Sequence, residues 1–251
     1  MLHYRDTTVF NIGAQTIVNT VNCIGVMGAG LALECKLRFP EMYEDYVKRC
    51  QGKEVKVDRP YLYRGYQNIL ILNFATKNHW KYPSKIEWIE QGLAYFVDNY
   101  EREGIISIAF PKLGCDKGGL DWNEVKDLME KYLKDLSIDV YICLDRESKA
   151  TGIEGKMVEI INNKRNYFWI SKSGIRNDIA DKIIAHLPIN RFREIQKIKG
   201  VGKETYEAIF KTLYSQVQNN NLKAKAIEIK RELNSKQTKQ EAIQLTLPLE
   251  L

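Results

Sequence analysis

Three glycines follow a predicted strand in the segment NTVNCIGVMGAGLALECKLRFP, residues 19–40. The strand ends near Asn22, and a helix begins after a loop that contains Gly25, Gly28 and Gly30. Glycine lets a backbone approach a ligand closely, and a helix N-terminus presents unpaired N–H groups that attract anions. The first glycine loop, Gly25–Gly30, is therefore predicted to hold a diphosphate. A tight strand-to-helix turn is the alternative, because the spacing matches neither the dinucleotide fingerprint nor the Walker A loop.

A second segment, IAFPKLGCDKGGLDW at residues 108–122, repeats this arrangement. A buried strand is predicted to lead into a loop with three glycines, and the next helix is capped near Asp121. Open α/β sheets bind ligands at the carboxyl ends of their strands. The second glycine loop, Gly114–Gly119, is thus predicted to hold the same diphosphate from the other side.

A lysine follows a third predicted strand in NFATKNHWKYPSKIEW, residues 73–88. If the strands are parallel, Lys77 lies at the same sheet edge as the two loops. A lysine there either pairs with a diphosphate as a cation or, when partly desolvated, loses its proton and attacks an electrophilic carbon. Chemistry alone favours the charge role.

The elements that must position these residues alternate along residues 1–150. Strand-like segments are Gln15–Val21, Lys53–Val57, Ile69–Phe74, Ile105–Phe110 and Asp139–Leu144, several of them β-branched and apolar as in strands covered on both faces. Helix-like segments are Leu31–Arg38, Glu41–Cys50, Lys85–Glu103 and Trp122–Leu136. This alternation predicts a three-layer α/β domain, with a mixed sheet between helices.

The charge of the chain is unevenly distributed. Residues 1–150 carry 20 Lys and Arg against 21 Asp and Glu, whereas residues 151–251 carry 18 against 11. The whole excess of +6 therefore comes from the second part, which favours a polyanionic partner there, or simply a solvated basic surface. The five cysteines contain no CxxC pair, so we predict reduced thiols of a cytoplasmic protein and no metal site. No apolar run predicts a membrane span, and MLHYRDTTVF does not resemble a signal peptide.

A smaller, mainly helical C-terminal domain is predicted beyond a polar, glycine-containing boundary. We expect a linker at 151–162, a basic helical domain at 163–233 and a tail at 234–251, with the helical pattern broken at Asn219–Asn221. IQKIKGVGKETYEAIF, residues 195–210, resembles a helix-hairpin-helix motif, which points backbone N–H groups at a nucleic-acid phosphate. The residues predicted to bind DNA are Lys197, Lys199, Gly200, Gly202 and Lys203. An ordinary αα-hairpin is the alternative.

Together, NTVNCIGVMGAGLAL, FATKNHW and FPKLGCDKGGLDW resemble the macrodomain branch that contains the DarG antitoxins and the human terminal ADP-ribose glycohydrolase. The resemblance covers about residues 1–150 and implies ADP-ribose as ligand and product, with no cofactor. It implies that Lys77 is catalytic and acts on the anomeric carbon as the modified base departs. This reverses the preference from chemistry alone, which favoured Lys77 as a cation that pairs with the diphosphate. It also implies that Asn11 and Ile12 lie near the adenine and that Asn22 contacts the distal ribose. The implied ligand-binding set is Asn11, Ile12, Asn22, Gly25, Val26, Met27, Gly28, Ala29, Gly30, Leu31, Thr76, Gly114, Cys115, Asp116, Lys117, Gly118, Gly119 and Leu120.

The sequence departs from this family pattern at two places. Phe10 stands where the family often has glycine before the adenine-side residue. Gly118 stands where the human enzyme has a second catalytic aspartate, so either Lys77 works without it or Asp116 substitutes; Asp116 as a plain loop residue is the alternative. His79 either assists with a proton or packs the loop.

Three functions follow as hypotheses. The first is a glycohydrolase that removes ADP-ribose from ADP-ribosylated DNA and reverses a DarT-type toxin, with the basic half contacting DNA or the toxin. The second is a non-catalytic ADP-ribose reader with a DNA-binding appendage, which does not need Lys77. The third is a hydrolase of protein-linked ADP-ribose, which does not need a DNA-binding module. The lysine segment favours an enzyme, and the hairpin favours DNA.

Overall fold

The computed structural model describes residues 1–65, 69–163 and 167–245, with side chains only as far as residue 224 and at Ile227. The chain divides into two compact units, Met1–Thr151 and Gly152–Leu251. Elements of the first unit are β1 (Leu2–Arg5), a 3₁₀ helix (Val9–Asn11), β2 (Thr16–Asn22), α1 (Gly30–Arg38), α2 (Pro40–Gln51), β3 (Tyr61–Arg64), β4 (Leu70–Lys77), α3 (Ile86–Asn99), β5 (Ser107–Pro111), α4 (Trp122–Leu133) and β6 (Asp139–Cys143).

The first unit is built on a mixed sheet with the strand order β1-β6-β5-β2-β4-β3. The pairs β1–β6, β6–β5, β5–β2 and β2–β4 are parallel. Among the described strands, only β3 runs antiparallel to its neighbour, β4. The carboxyl ends of β2, β4 and β5 consequently lie at one edge. Ligands of open α/β sheets bind at such an edge.

Helices cover both faces of this sheet. Buried residues of α3 and α4, such as Leu93 and Met129, form one core cluster with apolar side chains of β2, β4, β5 and β6. On the other face, Met42 and Tyr46 of α2 and Cys35 of α1 form a second cluster with apolar residues of the central strands. The prediction of a three-layer domain, with a mixed sheet between helices, is confirmed.

Some element predictions were wrong. Lys53–Val57 is a turn region rather than a strand, with Lys53 at a φ of 57° and an isolated bridge between Lys56 and Arg59. Its apolar signal arises because Val55 is buried in the second core cluster. Strands β1 and β3 were missed because they are four-residue edge strands whose side chains are only partly buried.

The second unit is helical. Its elements are α5 (Gly152–Asn162), α6 (Phe168–Ser173), α7 (Asn177–Ala185), a 3₁₀ helix (Phe192–Lys197) and α8 (Lys203–Leu245). The segment 151–162 predicted as a linker is almost entirely α5, which buries Met157 and Ile161 in this unit's interior. Its Glu154 is also buried and accepts hydrogen bonds from the Arg191 guanidinium at 3.0–3.2 Å, which fixes the start of the 3₁₀ helix.

Helix α8 runs without interruption through Asn219–Asn221, where the sequence predicted a break. Helix propensity is a weak signal that the flanking helical residues override. Of the predicted tail 234–251, the structure describes backbone only as far as Leu245, and the remainder lies outside the described residues. Within the described part of the chain, no helix is long and apolar enough to cross a membrane.

Candidate functional site

A cavity of about 520 Å³ opens at the carboxyl ends of β2, β4 and β5. Among the residues predicted to bind ligand or act on it, those that line the cavity are Asn22, Val26, Gly28, Ala29, Gly30, Leu31, Thr76, Lys77, Gly114, Cys115, Asp116, Lys117 and Gly118. The structure therefore brings the three predicted segments together around one space. This volume falls within the range of small-molecule sites in proteins.

The first glycine loop is held by the side chain of Asn22, the last residue of β2. Its Nδ2 donates to the carbonyl oxygen of Val26 at 2.5 Å, and its Oδ1 accepts from the backbone N–H of Ile24 at 3.0 Å. The buried hydroxyl of Tyr46 donates to the Asn22 carbonyl oxygen at 2.7 Å. The amide of Asn22 thus positions the loop, and its contact with a ribose remains a prediction.

Glycines at the end of this loop face open space. Gly28, Ala29 and Gly30 are exposed and line the cavity. Gly30 is the first residue of α1 and has a φ of 57°, and a Cβ built on it would meet nothing within 4 Å. The N–H groups of the first turn of α1 lack partners within the helix, which suits an anionic group.

The second glycine loop is closely packed. A Cβ on Gly118 would lie 2.0 Å from the carbonyl oxygen of Gly114, a distance that no side chain tolerates. The loop is closed by backbone hydrogen bonds from Gly119 to Cys115 at 2.7 Å and from Leu120 to Gly114 at 3.1 Å. The glycine at 118 is required by this packing.

Lys77 ends β4 and is paired in register with Asn22 on β2. Its Nζ donates a hydrogen bond to the carbonyl oxygen of Lys117 in the second glycine loop. Partial burial, together with the positive charge of Lys117, lowers the pKa of Lys77 below its usual value. A lowered pKa increases the fraction of neutral amine, the form that can attack a carbon atom.

A carboxylate cannot stand at position 118, where the family resemblance would place it, because Gly118 has no space for a Cβ. Asp116 lines the cavity but is mostly exposed, and its carboxylate pairs with the ammonium of Lys112 at 3.2 Å. Such exposed pairs are weak. Asp116 is therefore accessible to a ligand at the cavity rim, and its assistance to Lys77 stays a prediction.

Six predicted ligand-binding residues lie outside the cavity lining. Met27 is buried in the core, where its sulfur accepts from Asn19 at 3.9 Å, and Leu120 packs against the core cluster beneath the second loop. The amide of Asn11 donates to the hydroxyls of Thr7 and Thr151. The other residues in this group are Ile12, Gly25 and Gly119.

Sequence reasoning missed several cavity residues. Trp80 and Lys112 are the most informative, because one is a half-exposed aromatic ring and the other a cation. Trp80 lies in the FATKNHW motif, so its position three residues after Lys77 was the available signal. The other missed residues are Thr20, Val21, Ala32 and Pro111.

The predicted DNA-binding residues form a turn in the second unit. Gly200 has a φ of 97°, and the N–H of Val201 donates to the Ile198 carbonyl at 3.0 Å. Helix α8 then begins at Lys203, and Lys197, Lys199 and Lys203 are exposed around this turn. The turn lies between the 3₁₀ helix and α8. Both the helix-hairpin-helix motif and its binding to DNA stay predictions.

Comparisons with known proteins agree with this geometry. A curated relative from Thermosipho africanus, described as a DNA ADP-ribosyl transferase-DNA ADP-ribosyl glycohydrolase fusion protein, is 39% identical over 158 residues, which are 56% of this chain and 41% of the relative. The structure of Thermosipho africanus DarTG in complex with ADP-ribose is 39% identical, covers 61% of this chain and 44% of that chain, and gives a TM-score of 0.56. This chain spans less than half the length of the curated DNA ADP-ribosyl glycohydrolases that it matches.

The family assignment depends on the first unit. The macrodomain of Thermus aquaticus DarG is 39% identical and covers 57% of this chain and 98% of that structure's chain, with a TM-score of 0.55. The family model described as "Macro domain" matches residues 18–129, which include both glycine loops and Lys77. Through its first unit, the chain belongs to the macrodomain family.

Proposed function

We propose that this chain is a hydrolase that removes ADP-ribose from ADP-ribosylated DNA bases, with Lys77 as its catalytic residue. The observation that carries the proposal is the amine of Lys77, which is held by the second glycine loop in a cavity that both loops line and which has a lowered pKa. Supporting it, the similar DarTG structure was solved with ADP-ribose, and the curated relative is named for DNA ADP-ribosyl glycohydrolysis.

The cavity suggests how ADP-ribose would lie. The diphosphate would rest against the open glycines of the first loop, near the N–H groups at the start of α1. The distal ribose would then reach the paired positions Asn22 and Lys77. In this pose the anomeric carbon, where the base is attached, faces the Lys77 amine.

The reaction breaks the bond between the anomeric carbon and a nitrogen of the base. The base leaves with the bonding electron pair and takes up a proton. The neutral Lys77 amine either forms a bond to the anomeric carbon, which water later replaces, or stabilises the positive charge that develops there while water attacks. Both routes yield free ADP-ribose and unmodified DNA.

The biological counterpart would be a DarT-type toxin that attaches ADP-ribose to DNA. The curated relative joins a DNA ADP-ribosyl transferase and a glycohydrolase in one chain, which supports an antitoxin role for this protein. The substrate class is ADP-ribosylated DNA, and the toxin is the proposed protein partner.

The second unit is proposed to hold DNA through the turn around Gly200. The three exposed lysines would face phosphates, and such contacts make binding strongly dependent on salt. Replacing Lys197, Lys199 and Lys203 by Gln should reduce the slope of log affinity against log salt concentration, measured with single-stranded DNA, by about two. An unchanged slope would move the DNA contact elsewhere or favour the toxin as the occupant.

The activity is tested with single-stranded DNA that carries one ADP-ribose on a base. The wild-type chain should release ADP-ribose and Lys77→Ala should not. Lys126→Ala, a matched loss of one lysine that pairs with Glu130 on α4 and does not line the cavity, should keep the wild-type rate. No release, with ADP-ribose still bound, would favour a non-catalytic reader. Release only from ADP-ribosylated protein would favour the protein-directed hydrolase.

A further inference from the structure

An ordered aromatic pair stands at the cavity beside Lys77. Trp80 lines the cavity yet is 49% exposed, and its ring stacks on that of His79 with centroids 5.7 Å apart at 25°. Large aromatic side chains usually bury most of their area. The Lys81 ammonium also lies over the Trp80 ring, 5.3 Å from its centroid. A ligand that stacks on this half-exposed ring would therefore take the place of a flexible lysine side chain.

The loop that carries Trp80 is fixed by its own hydrogen bonds. The backbone N–H of Tyr82 donates to the His79 carbonyl at 3.2 Å, which closes a turn around Trp80 and Lys81. The backbone N–H of Lys81 donates to Nδ1 of His79 at 3.2 Å, which orients the imidazole under the tryptophan. A pre-ordered ring loses little freedom when a ligand stacks on it.

The surroundings of the ring are cationic. Residues 76–85 contain Lys77, Lys81 and Lys85 and no acidic residue, and the second glycine loop with its flanking residues 111–120 adds Lys112 and Lys117 against one aspartate. This local excess stands out in a half of the chain with 20 basic and 21 acidic residues. Exposed aromatic rings among lysines bind single-stranded nucleic acids, because bases stack on the rings while lysines meet the phosphates.

We propose that Trp80 is the stacking platform for the nucleobase that carries the ADP-ribose. This inference rests on the proposed function, because it requires a DNA base as the group attached to the distal ribose. Trp80 follows Lys77 by three residues and shares its cavity, so a base bonded to a carbon near the Lys77 amine comes within reach of the ring. Stacking holds the base in place while its bond to the sugar breaks.

The test measures binding rather than turnover. The full chain carrying Lys77→Ala is titrated with free ADP-ribose, with a single-stranded trinucleotide ADP-ribosylated on its central base, and with the unmodified trinucleotide as a measure of other DNA contacts. Adding Trp80→Ala should weaken binding of the modified trinucleotide about tenfold to a hundredfold and change the Kd of ADP-ribose less than about threefold. Trp80→Phe, which keeps a ring, should restore most of the loss.

Tyr82→Ala is the matched control. Tyr82 contacts the same His79 but is not among the cavity-lining residues, so its loss disturbs the loop without removing the platform. We expect trinucleotide affinity to be retained in this variant. A loss in Tyr82→Ala equal to that in Trp80→Ala would assign the effect to loop disorder and overturn the platform.

Two further results would overturn it. Unchanged trinucleotide affinity in Trp80→Ala would exclude stacking, and an equal loss for ADP-ribose would place Trp80 in the ribose site instead. Release of ADP-ribose from the same trinucleotide by the chain with Lys77 intact is measured separately. If release fails while the Trp80-dependent affinity holds, the hydrolase proposal falls and the base platform stands.

Discussion

In the first glycine loop, Gly28 and Gly30 border the open cavity, whereas in the second glycine loop Gly118 is packed against the backbone of its own loop. A Cβ on Gly30 would meet nothing within 4 Å, but one on Gly118 would lie 2.0 Å from a carbonyl oxygen of the same loop. The first loop therefore provides space for a ligand, and the second provides a rigid carbonyl that holds Lys77. Similar glycine patterns in sequence thus serve different physical purposes.

The largest effect is expected from Gly118→Ala. The added methyl group must displace the backbone at Gly114, so the free energy of unfolding should fall by about 3 kcal/mol or more, the upper end of the cost of overpacking. The carbonyl of Lys117 would move with the loop, and release of ADP-ribose should fall with it. Thermal unfolding and turnover of the intact chain measure the two losses.

Gly28→Ala is the matched variant in the first loop. A Cβ there makes only an ordinary contact of 3.6 Å, with Val26, so the unfolding temperature should stay unchanged while ADP-ribose affinity falls. If the two alanine variants destabilise the chain equally, the contrast between the loops is wrong.

An intermediate effect is expected from Asn22→Ala. This change removes the bonds to Val26 and Ile24 that hold the first loop, and losing buried hydrogen bonds costs about 1–3 kcal/mol. ADP-ribose affinity by calorimetry should drop about tenfold as the loop loses its fixed shape. Asn22→Asp, which keeps the acceptor for Ile24, should lose less; affinity at the wild-type level in Asn22→Ala would show that the loop is held by other contacts.

The smallest effect is expected from Lys117→Ala, which keeps the backbone carbonyl but removes the charge. Because that charge lowers the pKa of Lys77, its loss should raise the Lys77 pKa, while the larger effect of burial remains. Activity that needs the neutral amine rises with pH up to this pKa, so the rising limb should move to higher pH. The rate of Lys117→Ala at pH 7 should be less than about tenfold below that of the wild-type chain, and the rates of the two proteins should converge at high pH. Superimposable pH profiles of the two proteins would show that the charge of Lys117 does not affect the pKa of Lys77.

Much of the fold could be predicted from the sequence because the central strands are buried on both faces. Ile69–Phe74 and Asp139–Leu144 are apolar nearly throughout, and the structure contains β4 and β6 there. The four-residue strand β3 gave no such signal because its side chains are partly exposed. Helix α5 was missed because the polar, glycine-containing segment at its start indicated a boundary between domains. Glu154 in that segment is buried, but its partner Arg191 lies 37 residues away, and local composition cannot reveal that pairing.

Cavity residues could be predicted where a motif determines the conformation of the backbone. They were harder to predict where the direction of a side chain determines whether it faces the cavity or the core. Positions such as Gly28 and Lys77 line the cavity as expected. Met27 stands between cavity residues but points into the core, a direction that spacing does not specify. Trp80 was missed because an aromatic residue in a loop more often packs than faces a ligand.

The most direct test of the central claim separates binding from chemistry in Lys77→Ala. Single-turnover release from ADP-ribosylated single-stranded DNA should fall at least about a hundredfold, while the Kd of ADP-ribose by calorimetry should stay within about threefold of wild type. This result would mean that the two glycine loops bind the ligand and that the Lys77 amine performs the reaction. Retained release, or a loss of affinity as large as the loss of rate, would contradict that division.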